Sequence, residues 1–353
     1  MTSSKINLIL TDYKFLHPRT GKDMPGMHAM SLWNETLTLA PFSRPLCAIC
    51  EEPPTPLPPI KQTLTGDFVT FTAYWWGRYG HATHDSLPWF AYLKEMTFDT
   101  PDKKPMYILL DVRNAKDIIT AIDPDFANSR VIWANLNDRY EIDGTLTTLE
   151  IPSTRENNPR MMDFLRLWLS RNTRRKYTRS KIIYYDRRNR KDTIAGRYIR
   201  EDIEEEILQR LQKAMIKHNR KEQLVLFNGL QNRDGQTMSV QEQSDLFSDA
   251  TTIIGPHGSG LSGNLLWTNP TPANCNERVQ VLEFIGDRST AKETSPNRRE
   301  PYISHWPWMR GWPFHWHNML YESNSKRMAL VINVEEFSNT LDLMWGTNNE
   351  QVE

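Results

Sequence analysis

Three cysteines in 353 residues, Cys47, Cys50 and Cys275, are too few and odd in number to make a disulfide framework. The chain must hold together by packing and hydrogen bonding. Net charge is missing as well: 43 Lys and Arg balance 43 Asp and Glu, leaving no overall field to draw in nucleic acid or an anionic membrane. No nucleic-acid partner is expected. No stretch reaches the ~20 apolar residues of a membrane span, and Met1 to Leu10 lacks the full apolar core and small-residue cleavage site of a signal peptide. The expectation is a soluble, cytoplasmic protein without a membrane span, with the secretory-pathway lumen as the alternative if the chain has lost an upstream segment. Cys47-Ala-Ile-Cys50 has a CxxC spacing but no second pair to complete a metal site, so the two read as ordinary thiols.

What is present concentrates between Thr251 and Trp267, TTIIGPHGSGLSGNLLW: an apolar, β-branched run stops at Gly-Pro-His-Gly-Ser-Gly and continues as a helix. A small-residue turn leaving a buried strand lets backbone N–H groups and a helix start face an anion, as in phosphate-binding α/β domains. Upstream, Ser239-Val-Gln-Glu242 has the spacing of a capping box and opens a helix that runs to about Ala250. Downstream, Val279 to Ile285 reads as a buried strand with one carboxylate, Glu283, near its end. Helix, strand, glycine turn, helix and strand make half of a doubly wound domain.

At this length two domains are expected, since single cores stop growing at roughly 250 to 300 residues. The Pro-rich run Pro53 to Pro59 marks an extended surface segment. Strand patterns at Phe68 to Trp76, Met106 to Leu110 and Val131 to Ala134 alternate with helical ones at Leu87 to Met96 and Ala115 to Ile122. After a helix from Arg160 to Leu169, a polar basic run from Ser170 to Arg179 fits an interdomain connection. Alternation resumes with a strand at Ile182 to Tyr185, a helix at Glu201 to His218 and a strand at Gln223 to Phe227; Met328 to Val334 and Glu335 to Trp345 read as a last strand and helix. The boundaries drawn are 1–172 and 173–353, with the phosphate turn in the second domain.

Three blocks, in order, resemble glycosyltransferase family 61. Gly255-Pro-His-Gly-Ser-Gly-Leu261 followed by Val281-Leu-Glu283 is similar to the family's Gly-Pro-His-Gly-Ala-Gly-Leu turn and Val-(Leu/Ile)-Glu strand. Lys181 to Arg188, then Gly196 to Ile207, resembles the strand ending in Ser-Arg and the later Arg-x-x-x-Asn-Glu helix start. Arg78-Tyr-Gly-His-Ala-Thr-His-Asp-Ser-Leu-Pro88 resembles His-x-x-x-Asp-x-Leu-Pro, and its His-Asp pair is similar to the protein O-mannose N-acetylglucosaminyltransferase branch. The resemblance implies the GT-B fold: two Rossmann-like α/β domains facing across a cleft, with a C-terminal closing helix. It implies an inverting, metal-independent transferase that moves xylose, arabinose or N-acetylglucosamine from a UDP-sugar donor to a glycan acceptor and needs no cofactor. Without a membrane anchor the chain would suit a bacterial enzyme or one encoded by a large DNA virus.

Such transfer needs stabilisation of the departing diphosphate and a base for the acceptor hydroxyl. For the first, the N–H groups of Gly258, Ser259 and Gly260 with Arg187 or Arg188 form a candidate clamp, because the Arg fork matches phosphate oxygens. His257 is a candidate for a phosphate or ribose hydrogen bond, and Glu283 for the donor's ribose hydroxyls. For the second, His81, His84 and Asp85 stand three and four apart, on overlapping faces of a helix. Asp85 is expected to be the base, with His81 or His84 orienting it or binding sugar hydroxyls. Asp123-Pro-Asp125 has the DxD form of metal-dependent transferases but falls at a helix stop, so no metal is expected. The aromatic patch of Trp306, Trp308, Trp312, Phe314 and Trp316 with His305, His315 and His317 is expected to be mostly core. The other classes considered are a non-catalytic glycan- or nucleotide-binding module and a Rossmann oxidoreductase, because Gly258-Ser-Gly-Leu-Ser-Gly263 matches the dinucleotide spacing.

Overall fold

The computed structural model describes residues 6–12, 15–16, 23–24, 28–34, 56–73, 79, 82–99, 104–111, 115–135, 137–151, 160–171, 177–187, 199–228, 238–287, 314–322 and 332–346. The chain divides into two units, Met1–Asn172 and Thr173–Glu353. Among the described residues no helix is long and apolar enough to cross a membrane.

Unit 1 contains strands β1 (Ile6–Asp12), β2 (Phe15–Leu16), β3 (Asp23–Met24), β4 (His28–Asn34), β5 (Ile60–Ala73), β6 (Met106–Leu110), β7 (Val131–Ala134) and β8 (Arg139–Ile151). Six of them form one sheet in the order β4-β1-β8-β5-β6-β7, while β2 and β3 pair separately. β8, β5, β6 and β7 run parallel, and β1 is antiparallel to both β8 and β4. The unit is therefore a mixed α/β sheet, parallel on one side and antiparallel on the other. Its helices are α1 (Leu87–Leu93), α2 (Ala115–Ile122), α3 (Pro124–Ser129) and α4 (Arg160–Ser170).

The core beneath α1 is aromatic. Phe90 packs against Tyr107, Phe126 and Trp168 with ring centroids 5.7, 6.1 and 5.7 Å away. Lys94 is buried beside these rings, with its Nζ 5.2 Å from the Phe126 centroid and 5.5 Å from that of Trp168. An ammonium there requires a counter-charge, and Asp99 supplies it at 2.8 Å while also accepting from Arg130 at 2.7 Å. Burial alone would raise the Asp99 pKa; the hydrogen bonds and charges of Lys94 and Arg130 outweigh it and hold the carboxyl below the usual range.

Unit 2 contains β9 (Lys181–Tyr185), α5 (Glu201–Lys217), β10 (Gln223–Phe227), α6 (Val240–Ser248), β11 (Ala250–Pro256), α7 (Ser259–Leu265), β12 (Val279–Asp287), β13 (Phe314–Glu322) and α8 (Val334–Gly346). All five strands are parallel, in the order β10-β9-β11-β12-β13. Counted within the unit this is 2-1-3-4-5, a doubly wound order whose direction reverses between its first and third strands. Alternation along the strands splits the core. Ile182, Tyr184, Ile254, Leu282, Phe284 and Met319 meet Ile207 and Leu211 of α5 and Phe337, Leu341 and Trp345 of α8. On the other face Tyr185, Phe227 and Phe247 stack with centroids 5.8 and 5.0 Å apart.

The expected elements of unit 2 form within a residue or two of their predicted bounds, and Ser239 caps α6 through the full reciprocal box with Glu242. Helix α8 forms as expected and packs on α5, joined to it by Arg210–Glu335 at 2.6 Å and Lys217–Asp342 at 2.7 Å. Of the strand expected at 328–334, residues 328–331 lie outside the described residues, while Ile332 and Asn333 precede α8 without joining a strand. Strands β1, β4, β8 and β13 have no counterpart in the sequence reading.

Candidate active site

The turn after β11 lies beside the end of β9, at the sheet's point of reversal. In open α/β sheets this crevice, outside the carboxyl ends of the strands, is where ligands bind. Tyr185 ends β9, and the next residue, Asp186, still bonds to the neighbouring strand through its N–H to Phe227 O at 2.8 Å. Arg187 then folds back. Its guanidinium lies over the Tyr185 ring at 5.6 Å and donates to His257 O at 3.3 Å, and the residue is 8% exposed.

The glycines make this approach possible. A Cβ on Gly258 would stand 2.5 Å from Arg187 Nη1, and one on Gly260 would collide with the Tyr185 hydroxyl and ring. At Gly255 the obstacle is strand against strand, with Tyr185 Cβ 2.5 Å from where a side chain would begin. The turn is thus built to let Arg187 and the backbone of residues 258–260 share one small volume.

Backbone hydrogen bonding leaves the right donors over. His257 N–H is committed to Phe284 O at 2.8 Å, and Leu261 and Ser262 N–H both return to Gly258 O at 3.0 Å. Between them, the N–H groups of Gly258, Ser259 and Gly260 occupy the opening of α7, where a helix has no internal acceptors. Because α7 has only seven residues, these local N–H groups matter more than any helix macrodipole. The base of the turn is rigid: Ser262 Oγ donates to Gly258 O at 3.1 Å, and Asn264 Nδ2 donates to Gly260 O at 2.7 Å.

Glu283 occupies a different place from the one expected. It is fully buried, and its Oε1 meets His257 Nδ1 at 2.6 Å. A carboxylate without exposed surface reaches no ribose hydroxyl unless the turn rearranges; it is hydrogen-bonded to His257. A buried carboxylate needs a compensating donor, and the imidazole supplies one while its Nε2 stays on the opposite side of the ring. Sequence reading had both residues but missed the pair, whose signal is the parallel register that sets Glu283 against Gly255 at the foot of the turn. Arg188 and the Ser259 side chain lie outside the described residues.

In unit 1, residues Ala82–Ser86 form a π-helical turn that runs straight into α1, with Pro88 in the first turn. The segment follows the carboxyl end of β5, the ligand-binding end of a parallel sheet. Single π turns joined to α-helices occur often at functional sites, and a second π segment, Lys94–Phe98, follows α1 directly. Ala82, Thr83 and Ser86 are buried, and Thr83 Oγ1 donates to Tyr79 O at 3.0 Å. The backbone of His84 and Asp85 lies in this turn; their side chains, and all of His81, lie outside the described residues.

The remaining expectations fall as follows. Asp123 is the N-cap of α3, accepting from Phe126 N at 3.0 Å and from Trp168 Nε1 at 2.8 Å, so the DxD sequence serves a helix start. Phe314, His315, Trp316 and His317 are half-buried in β13, where burial and then the charge of His315 push the His317 imidazole below its usual range. Residues 305–313 and the Cys47–Cys50 pair lie outside the described residues, and Cys275 is a free, exposed thiol. The Gly-x-Gly-x-x-Gly match follows the third strand of its sheet, whereas the dinucleotide fingerprint belongs after the first.

No curated protein matches this chain. A model of the family described as Glycosyltransferase 61 matches residues 79–275, from three residues before the π turn, through Arg187 and the His257 turn, to Cys275. Because that match spans more than half of the chain, the protein belongs to glycosyltransferase family 61 and is a glycosyltransferase.

Proposed function

We propose that the protein is an inverting, metal-independent transferase that moves a sugar of the xylose, arabinose or N-acetylglucosamine type from a UDP donor to a hydroxyl of a glycan. The observation that carries this reading is the meeting of Arg187 with the Gly258–Gly260 backbone at the reversal point of the unit 2 sheet. When the bond between the anomeric carbon and the diphosphate oxygen breaks, UDP departs with an added negative charge. Arg187 and the three N–H groups supply fixed positive charge and dipoles there, so a metal is not needed to neutralise the leaving group. His257, held by Glu283, adds a donor through Nε2 when protonated.

The acceptor's proton must leave as its oxygen attacks from the face opposite the diphosphate. Asp85 takes it, with His81 or His84 orienting the carboxylate or the sugar. Acceptor chemistry then belongs to unit 1 and donor chemistry to unit 2, the division of labour that the GT-B resemblance implies. The test is calorimetric titration with UDP and UDP-sugars in EDTA, alongside a transfer assay. The expected result is that Arg187→Ala weakens UDP binding and slows transfer about 10²- to 10³-fold, while Asp85→Asn binds UDP normally and transfers nothing. UDP binding that requires a divalent ion, or that ignores Arg187, overturns the reading.

A further inference from the structure

At the opposite end of the same sheet, where the strands begin, three arginines meet in a second recess. Arg179 precedes β9, Arg220 precedes β10 and Arg278 precedes β12; together with Thr251 and His315 they line a recess of about 30 Å³. One water needs roughly 10 to 15 Å³ by this kind of measure. The recess therefore has room for the head of a small ion and none for a nucleotide.

The charges here are only partly cancelled. Arg220 stacks over Trp345 at 5.0 Å and pairs with Glu222, which also accepts from Thr251 Oγ1 at 2.9 Å. Arg179 spends its guanidinium on neutral acceptors, the backbone carbonyls of Glu277 and of Asn276, the latter at 3.1 Å. The Glu277 carboxylate is turned to Ala273 N at 2.9 Å and Asn274 Nδ2 at 3.0 Å. Arg278 makes no side-chain hydrogen bond or ion pair among the described residues. Three guanidinium groups thus face two carboxylates, one engaged with Arg220 and one capping its own turn.

The backbone adds a second observation. Arg179 has φ 55°, one of three non-glycine residues with positive φ among the described residues. Non-glycine residues held in that region tend to mark sites where geometry is imposed by function. Burial and then the charge of Arg220 lower the Arg179 pKa, while Glu277 and Glu222 oppose that shift. Arg179 and Arg220 thus repel each other, though less strongly than Glu277 attracts Arg179, and an anion placed among the three guanidinium groups would add to that attraction.

We infer that this recess at the amino-terminal edge of the unit 2 sheet is a second oxyanion site, separate from the donor site, for a phosphate-class ion. Its fork-shaped donors suit tetrahedral oxygens. It stands independently of the proposed donor chemistry, because it uses none of the same residues. The experiment is thermal denaturation with increasing inorganic phosphate, at ionic strength held constant with KCl so that screening does not contribute. A ligand that binds only the folded chain stabilises it by RT ln(1 + [L]/Kd), so the melting temperature keeps rising with its concentration. Phosphate should stabilise the wild-type chain and still stabilise Arg187→Ala, while Arg278→Ala, which breaks no hydrogen bond or ion pair among the described residues, should need about tenfold more phosphate for the same rise. No rise in the wild type, a rise that Arg278→Ala leaves unchanged, or a rise that Arg187→Ala abolishes would each overturn the inference.

Discussion

The two units use α/β layering in different ways. In unit 2 every strand is parallel and the order reverses once, which creates a single crevice, and the residues there are the glycine turn and Arg187. In unit 1 the parallel strands end in an antiparallel edge, and the centre is an aromatic cluster with an ion network of Lys94, Asp99 and Arg130 inside it. In unit 2 the buried Arg187 and Glu283 stand at the turn, each against His257; in unit 1 the buried Lys94 helps to hold the helix that follows the Asp85 turn. The lesson is that the glycine turn of unit 2 is specified by backbone geometry, which tolerates little change, and the centre of unit 1 by side-chain packing.

The sharpest way to separate the two is to break the ion network. Lys94→Met leaves Asp99 with Arg130 and the Tyr107 hydroxyl and should destabilise unit 1 by about 3 kcal/mol, the low end for breaking a buried pair, with no change in UDP affinity. Chemical denaturation followed by Trp fluorescence, with UDP titration alongside, reads both. The same contacts set an acid limit. Because the folded Asp99 pKa is depressed, its contribution is complete above the unfolded value of ~3.9 and is lost as pH falls through the folded one. The wild-type advantage over Lys94→Met should therefore shrink below about pH 4 and stay constant from pH 5 to 8.

A smaller effect isolates the turn. Gly258→Ala displaces the tip of Arg187, the movable end of a flexible side chain. It should cost about tenfold in UDP affinity, or ~1.4 kcal/mol, with a melting temperature close to wild type. A large fall in stability would mean that the glycine serves packing and not the approach of Arg187. The smallest effect is expected at Ser239→Ala, which removes the capping box from α6 and should cost about 1 kcal/mol in unit 2 alone. Equal shifts in both units' unfolding would show that they melt together.

Much of unit 2 was legible because its signals are local. A β-branched run ending in Gly-Pro-His-Gly gave β11 and its turn, Ser-x-x-Glu gave the start of α6, and helical periodicity gave α5 and α8. Strands with weaker alternation escaped. β8, Arg-Tyr-Glu-Ile-Asp-Gly-Thr, mixes polar residues and a glycine into its pattern, and β13 reads as an aromatic patch behind prolines. Around the turn, the sequence singled out Arg187, His257 and Glu283, and the structure brings the three together; the pairing of Glu283 with His257 was not legible because it depends on the register of a neighbouring strand.

The amino-acid sequence determined most of the strands and helices of unit 2, where the glycine turn lies, and which cation stands at the end of β9. Only the tertiary structure decided that β9 lies beside β11, that Arg187 therefore meets the turn, and that Glu283 supports His257 from below. The reason is range. Propensity, capping and periodicity act within a few residues, whereas strand order and register follow from hydrogen bonds and burial between segments some seventy residues apart in the chain.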